Sequence, residues 1–144
     1  MPENLYPKAN VLNRLIAKFI DLLIVAVLYE LLSRIGFIAG MMYLLIGDGF
    51  FQGKSVGKWL IGLQTYVPAR QSVCTFRESI LRNFPLAVGY FLFLIPYLGW
   101  LFTAGILIFE SLLMIGNGQG LRLGDEIGGT QVLEQEVLDV GVER

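Results

Sequence analysis

The sequence predicts an all-α integral membrane protein: four transmembrane helices in two hairpins, both termini cytoplasmic, with a small cytoplasmic β pairing. Three observations carry that expectation. Hydrophobic residues make up 55% of the 144 and charged residues 16%, against about 25% charged in ordinary soluble domains, and the mean hydropathy is +0.64. Four apolar stretches, 15–33, 35–51, 79–95 and 98–115, approach the roughly 20 residues that a spanning helix needs. Basic residues also segregate. Lys8, Arg14 and Lys18 precede or open the first stretch, and Lys54, Lys58, Arg70, Arg77 and Arg82 lie between the hairpins. Arg122 and Arg144 follow the last stretch, and only Arg34 falls on the other side. By the positive-inside rule this places both termini and the central loop in the cytoplasm, leaving two short outer turns.

The first stretch is interrupted by Asp21 and followed by no small-residue cleavage site, so it reads as an uncleaved helix rather than a signal peptide. Arg34 and Gly36 mark the first hairpin turn. Residues 56–62 suit a short interfacial helix, and 63–67 have the β-branched and aromatic character of a strand that Pro68 stops. Thr75 and Glu78 have capping-box spacing for the third helix, and Pro85 is expected to kink it. Pro96, Tyr97, Leu98 and Gly99 form the second hairpin turn. If the last apolar run were one helix instead of two, the tail would lie outside. Residues 130–135 suit a strand able to pair with 63–67. Trp59, Trp100, Tyr66 and Tyr97 fall near the expected interfaces. The domain thus spans 1–135, and 136–144 reads as a solvated acidic cytoplasmic tail.

A net charge of −1 argues against nucleic acid as a partner. With one cysteine, Cys74, no intrachain disulfide forms, and with no histidine the commonest metal ligand is missing. No cofactor or metal motif presents itself. Ser55, Ser79 and Ser111 have no histidine to act as base, so the sequence does not read as an enzyme. Gly53, Lys54 and Ser55 imitate the end of a nucleotide-binding loop, but the spacing requires glycine where Asp48 stands, and a carboxylate there repels phosphate. No nucleotide is therefore expected. The glycines instead let a helix bend onto the cytoplasmic face, with Lys54 and Lys58 at the lipid headgroups.

Arg14, Lys18 and Asp21 stand four and three residues apart, on one helix face, with Arg14 and Asp21 about 10 Å apart along the axis. Arg14 and Lys18 are expected to reach the headgroups, whereas Asp21 must face protein or water because an ionised group costs about 2.5–3.5 kcal/mol near a bilayer centre. Asp48, Glu110 and Asp125 add carboxylates, whose hard oxygens suit small cations. Each also has a plainer reading: Asp21 as an interhelical salt bridge, Asp48 as a solvated interfacial residue, Asp125 as the fastener of a cytoplasmic turn through Arg122.

Four segments together resemble the RDD family of small bacterial membrane proteins, named for one arginine and two aspartates. Asn13, Arg14, Ala17, Ile20 and Asp21 look like its opening motif. Gly53, Lys54, Ser55, Gly57, Lys58, Leu60, Gly62 and Leu63 are similar to its glycine-lysine segment. Arg82 and Asn83 match its basic step into the third helix. Leu123, Gly124, Asp125, Gly128, Thr130 and Val132 are similar to its closing motif. Either Asp125 or Asp48 stands for the second aspartate. The resemblance covers residues 10–135 and implies a multi-pass protein of the bacterial inner membrane with cation/proton exchange or other small-ligand transport; Arg14, Asp21, Asp48 and Asp125, with Glu110 added from the apolar layer, are the residues to test. The alternative is a scaffold or accessory subunit without transport activity. The expected partners are the lipid bilayer, small cations and protons, and a second copy or another membrane protein, for which Gly36, Gly40 and Gly47 permit close helix contact.

Overall fold

The structure is a computed structural model that describes residues 7–142. Seven helices and a three-stranded sheet follow in the order α1 (Val11–Leu31), α2 (Gly36–Ile46), α3 (Val56–Ile61), β1 (Leu63–Val67), β2 (Ser72–Val73), α4 (Phe76–Leu92), α5 (Gly99–Gly116), α6 (Leu123–Gly128), β3 (Gln131–Glu134) and α7 (Gln135–Val142). Asn10 caps α1 by accepting the Leu12 N–H at 2.9 Å. The capping box at α4 is present, with Glu78 accepting the Thr75 backbone N–H at 3.0 Å. The helix continues through Pro85 to Leu92.

Helices α1 and α2 form one hairpin and α4 and α5 another, and α2 packs on α4, where the rings of Phe37 and Tyr90 stack with centroids 4.6 Å apart. The sheet has the order β2-β1-β3. Antiparallel pairing of β1 with β3 sets Leu63 opposite Glu134 and Thr65 opposite Val132, so residues 63–67 and 130–135 do meet, and β2 is an added short strand. Leu63, Val132, Ala9 and Ala17 form the small apolar core beneath the bundle.

The four-span topology does not hold. Among the described residues one helix, Gly99–Gly116 (α5), is long and apolar enough to cross a membrane by length and composition, and 17% of it is buried. α1 carries Arg14, Lys18, Asp21 and Glu30. α2 has 11 residues and rises about 17 Å against a hydrocarbon layer of about 30 Å. α4 has 17 residues, including Arg77, Glu78 and Arg82. Charges interrupt α1 and α4, where Arg14, Asp21, Glu78 and Arg82 are buried, and α2 is too short. Residues 135–142 form α7, with Leu138 buried. Arg144 lies outside the described residues.

Polar and apolar positions are distributed in the reverse of a soluble protein. Arg14, Asp21, Asp48, Lys58, Arg82, Glu110 and Asp125 are buried, while Phe19, Phe84, Phe91, Trp100, Phe109 and Leu112 are exposed. A soluble monomer rarely shows contiguous apolar patches beyond a few hundred Å².

Two glycines permit the crossings that bring the charges together. A Cβ at Gly57 would stand 2.0 Å from the Ala17 carbonyl oxygen, where α3 crosses α1, and one at Gly124 would stand 1.8 Å from that of Arg82, where α6 crosses α4. Gly36 and Gly40, expected to serve contacts between chains, lie within the chain against the Leu28 and Tyr29 backbone and against Tyr90 and Val25. Gly57→Ala and Gly124→Ala are each expected to lower stability by about 1–3 kcal/mol, the usual cost of overpacking. Gly105→Ala, which meets nothing within 4 Å, is expected to cost nothing, and equilibrium unfolding of the detergent-solubilised chain reads the difference.

Candidate functional site

Charged side chains from α1, α3, α4, α5, α6 and the 47–49 turn after α2 converge above β1. Asp125, on α6, is fully buried. Arg14 of α1 donates to it at 2.8 Å, and the Arg82 guanidinium of α4 pairs with it at 2.6 Å. Arg122, immediately before α6, stands 3.6 Å away. Arg82 also reaches toward Asp48 at 3.5 Å and donates to the Thr65 hydroxyl of β1 at 2.6 Å. Asp48 pairs with Lys58 and accepts from the Asn83 amide at 3.0 Å. The other end of that amide accepts from Arg122 at 2.8 Å. Arg82 and Asn83, adjacent in sequence, thus join the Asp48 and Asp125 halves of the network.

Asp21 forms a neighbouring node. It accepts from the Ser55 hydroxyl at 2.6 Å, the Tyr43 hydroxyl at 2.7 Å and the Gly57 backbone N–H at 2.9 Å. Its carboxylate therefore closes the N-terminus of α3, where unpaired N–H groups favour negative charge. The plainer reading of Asp21 as a salt-bridge partner gives way to this set of neutral donors.

The five residues singled out in the sequence take three different situations. Arg14, Asp48 and Asp125 belong to the network, and Asp21 adjoins it. Glu110 faces the Arg122 Nε at 3.7 Å, and neither of its oxygens has a hydrogen bond among the described residues. Three expectations change. Arg14 does not reach outward but is buried against Asp125 and the Gly120 carbonyl. Asp48 is buried at 3% exposure, not solvated at an interface. Lys58 is buried too, with Asp48 and, at 3.0 Å, Thr65 as partners. The partner of Arg14 lies 111 residues away in the chain, beyond any local spacing, whereas Lys58 takes partners only 10 and 7 residues away. Lys58, Arg82, Asn83 and Arg122 were not among the site residues expected. Their sequence signal was a polar pair, Arg82 and Asn83, inside an otherwise apolar helix.

Burial opposes the ionised form of Asp125, but Arg82, then Arg122 and Arg14, outweigh it and hold the carboxyl at about 2. Burial is likewise outweighed at Asp48 by Lys58 and Arg82, which keep it well below the usual carboxylate range. Burial, reinforced by Arg82, brings the Lys58 ammonium down to about 7. Burial pushes the Cys74 thiol up to about 11, which makes it unreactive.

A cavity of about 60 Å³ opens against this network. Arg14, Lys18, Lys58, Arg82 and Arg122 line it, and Glu110 is the one carboxylate in its wall. Lys18 makes no hydrogen bond or ion pair with any described residue and borders a second small cavity beside Asp21 and Asp48. The Nε of Arg82 and of Arg122 are buried without a hydrogen-bond acceptor. Among the described residues no group of three or more carboxylates or thiols is placed to hold a metal ion. The chemistry offered is donor-rich and cationic.

Removing the central carboxylate leaves three arginines facing one another. Asp125→Asn is expected to cost about 3–5 kcal/mol, as for breaking other buried pairs. Because the folded pKa of Asp125 lies below its ordinary 3.8, its contribution is complete above that value and is lost as pH falls through about 2. Unfolding measured between pH 2 and 5 is expected to show a slope in the native chain that shrinks in Asp125→Asn.

No family model, no curated protein and no solved structure matches the chain.

Proposed function

We propose that the chain is a membrane-lodged protein that binds a small anionic ligand in the cavity between α1, α4 and α5. The observation that carries this reading is the wall of that cavity, in which five cationic side chains face one carboxylate. Arg14, Lys58, Arg82 and Arg122 already have acidic partners, and Lys18 supplies a positive charge with no direct counter-ion. An incoming anion meets Lys18 first and then the Nε groups of Arg82 and Arg122, which make no hydrogen bond but stand 3.5–3.7 Å from Asp48, Asp125 and Glu110. Charge-assisted hydrogen bonds of this kind are about twice as strong as neutral ones.

Lodging in lipid is supported by α5 and by the apolar outer faces of its neighbours, which need a cover other than water. Exchange of cations for protons draws less support. It calls for several carboxylate oxygens facing open space, and Glu110 alone offers them at the cavity, since those of Asp21, Asp48 and Asp125 are engaged by donors or cations. A scaffold role has no comparable feature within the bundle, since Gly36 and Gly40 are occupied by contacts inside the chain.

Calorimetric titration of the full chain in zwitterionic-lipid nanodiscs tests the reading, with sodium acetate exchanged for sodium chloride at constant ionic strength. Saturable acetate binding is expected, weakened about tenfold or more in Lys18→Gln, because a hydrogen bond to a charged group is worth about 1.5–3 kcal/mol. Absence of saturable binding contradicts it. So does a proton flux in reconstituted vesicles that follows Na⁺, Li⁺ or K⁺ pulses and disappears in Asp21→Asn.

A further inference from the structure

The cationic cavity does not end at its charged wall. Leu86 of α4 and Leu107 of α5 line it, and the same two residues line a second cavity of about 40 Å³ deeper between the helices. That second space is bounded by Leu22, Val25, Leu44 and Ile106, with Gly89 leaving room along α4. Its polar groups are few. The Thr103 hydroxyl is bonded to the Gly89 and Gly99 carbonyls, and the Tyr90 hydroxyl is buried without a partner. A donor-rich chamber thus adjoins an apolar one across a shared pair of leucines.

Resting on the anion reading above, we propose that the ligand is an amphiphilic monoanion: a carboxylate bearing a short unbranched apolar chain. The carboxylate lies among Lys18, Arg82 and Arg122, and the chain passes between Leu86 and Leu107 into the apolar cavity. Charge argues for a single negative group. Glu110 already stands in the wall of the charged cavity, so a second negative charge on the ligand would face a carboxylate. A dianion such as phosphate would leave uncompensated negative charge in a buried site, which is costly. Size argues for a short chain. A buried water needs at least about 10–15 Å³ of such space, so 40 Å³ takes about three methylene-sized groups. A diacyl lipid does not fit that chamber.

The experiment is a chain-length series in the same nanodiscs, from acetate through octanoate, with the matching primary amides as neutral controls and empty nanodiscs subtracted. Each buried methylene is expected to tighten binding about fourfold, from roughly 0.8 kcal/mol per group. The gain is expected to stop after about three added carbons, and the amides to bind at least tenfold more weakly. Two variants localise the chain. Gly89→Ala, whose methyl would stand 3.3 Å from the flexible end of Ile106, is expected to shorten the preferred ligand by about one carbon while acetate binding stays unchanged. Val25→Phe is expected to abolish the chain-length gain with acetate still bound. Acetate binding with no gain along the series, or a gain that continues to octanoate and persists in Gly89→Ala, overturns the amphiphile inference and leaves the anion reading intact. Amides binding as well as carboxylates overturn both.

Discussion

The Arg82–Asp125 pair is the contact on which the rest of the structure depends. Both side chains are buried to 1% exposure or less, and each is tied to further elements: Arg82 to Thr65 of β1 and to Asp48, Asp125 to Arg14 of α1. Taking such a pair out of water costs several kcal/mol per ion, and mutual attraction offsets that only with good geometry and further donors. The geometry here comes from close backbone crossings. Gly124 lets α6 settle on the Arg82 segment of α4, and Gly57 lets α3 settle on Ala17 of α1, within reach of Asp21. Small residues at two crossings and the charged residues at or beside them form one device.

That device explains how a chain so rich in apolar residues holds a polar interior. With the charges neutralised among themselves, the apolar side chains of α1, α4 and α5 turn outward, and the bundle is stabilised by ion pairs where a soluble domain would use a hydrocarbon core. The sheet gives it a floor, since Thr65 receives Arg82 and Lys58 together. The network is nearly balanced, and its one cation without a direct counter-ion, Lys18, borders the cavity. Structure and proposed binding therefore have the same origin: most of the charge is spent on holding helices together, and the residue left over faces the open space.

Local features were legible in the sequence. The Thr75–Glu78 capping box, the strand at 63–67, its partner at 130–135 and the turn at 96–99 follow from side-chain chemistry within a few residues. Arg14 and Asp48 were placed by the sequence at headgroups and in solvent, whereas both are buried, as is Asp125. What could not be read was which partner each charge takes. Arg14 meets Asp125 from 111 residues away, and no spacing rule carries that information. The error in topology has the same source. Residues 35–51 and 79–95 are apolar enough to suggest spans, yet α2 stops at Ile46 and Gly47–Gly49 turns sharply to present Asp48 inward. Carboxylates in apolar runs suit cations by their chemistry, but in three dimensions Asp48 and Asp125 are counter-ions to Lys58, Arg82 and Arg14.

A double-mutant cycle on Arg82→Met and Asp125→Leu tests most directly the claim that this buried pair holds the bundle together. Each single substitution leaves an uncompensated charge inside the protein, whereas the double removes both. The account expects each single variant to unfold several kcal/mol more easily and the double to recover more than about 1 kcal/mol relative to their sum. Costs that add to within about 0.5 kcal/mol would contradict it, because the two residues would then act independently.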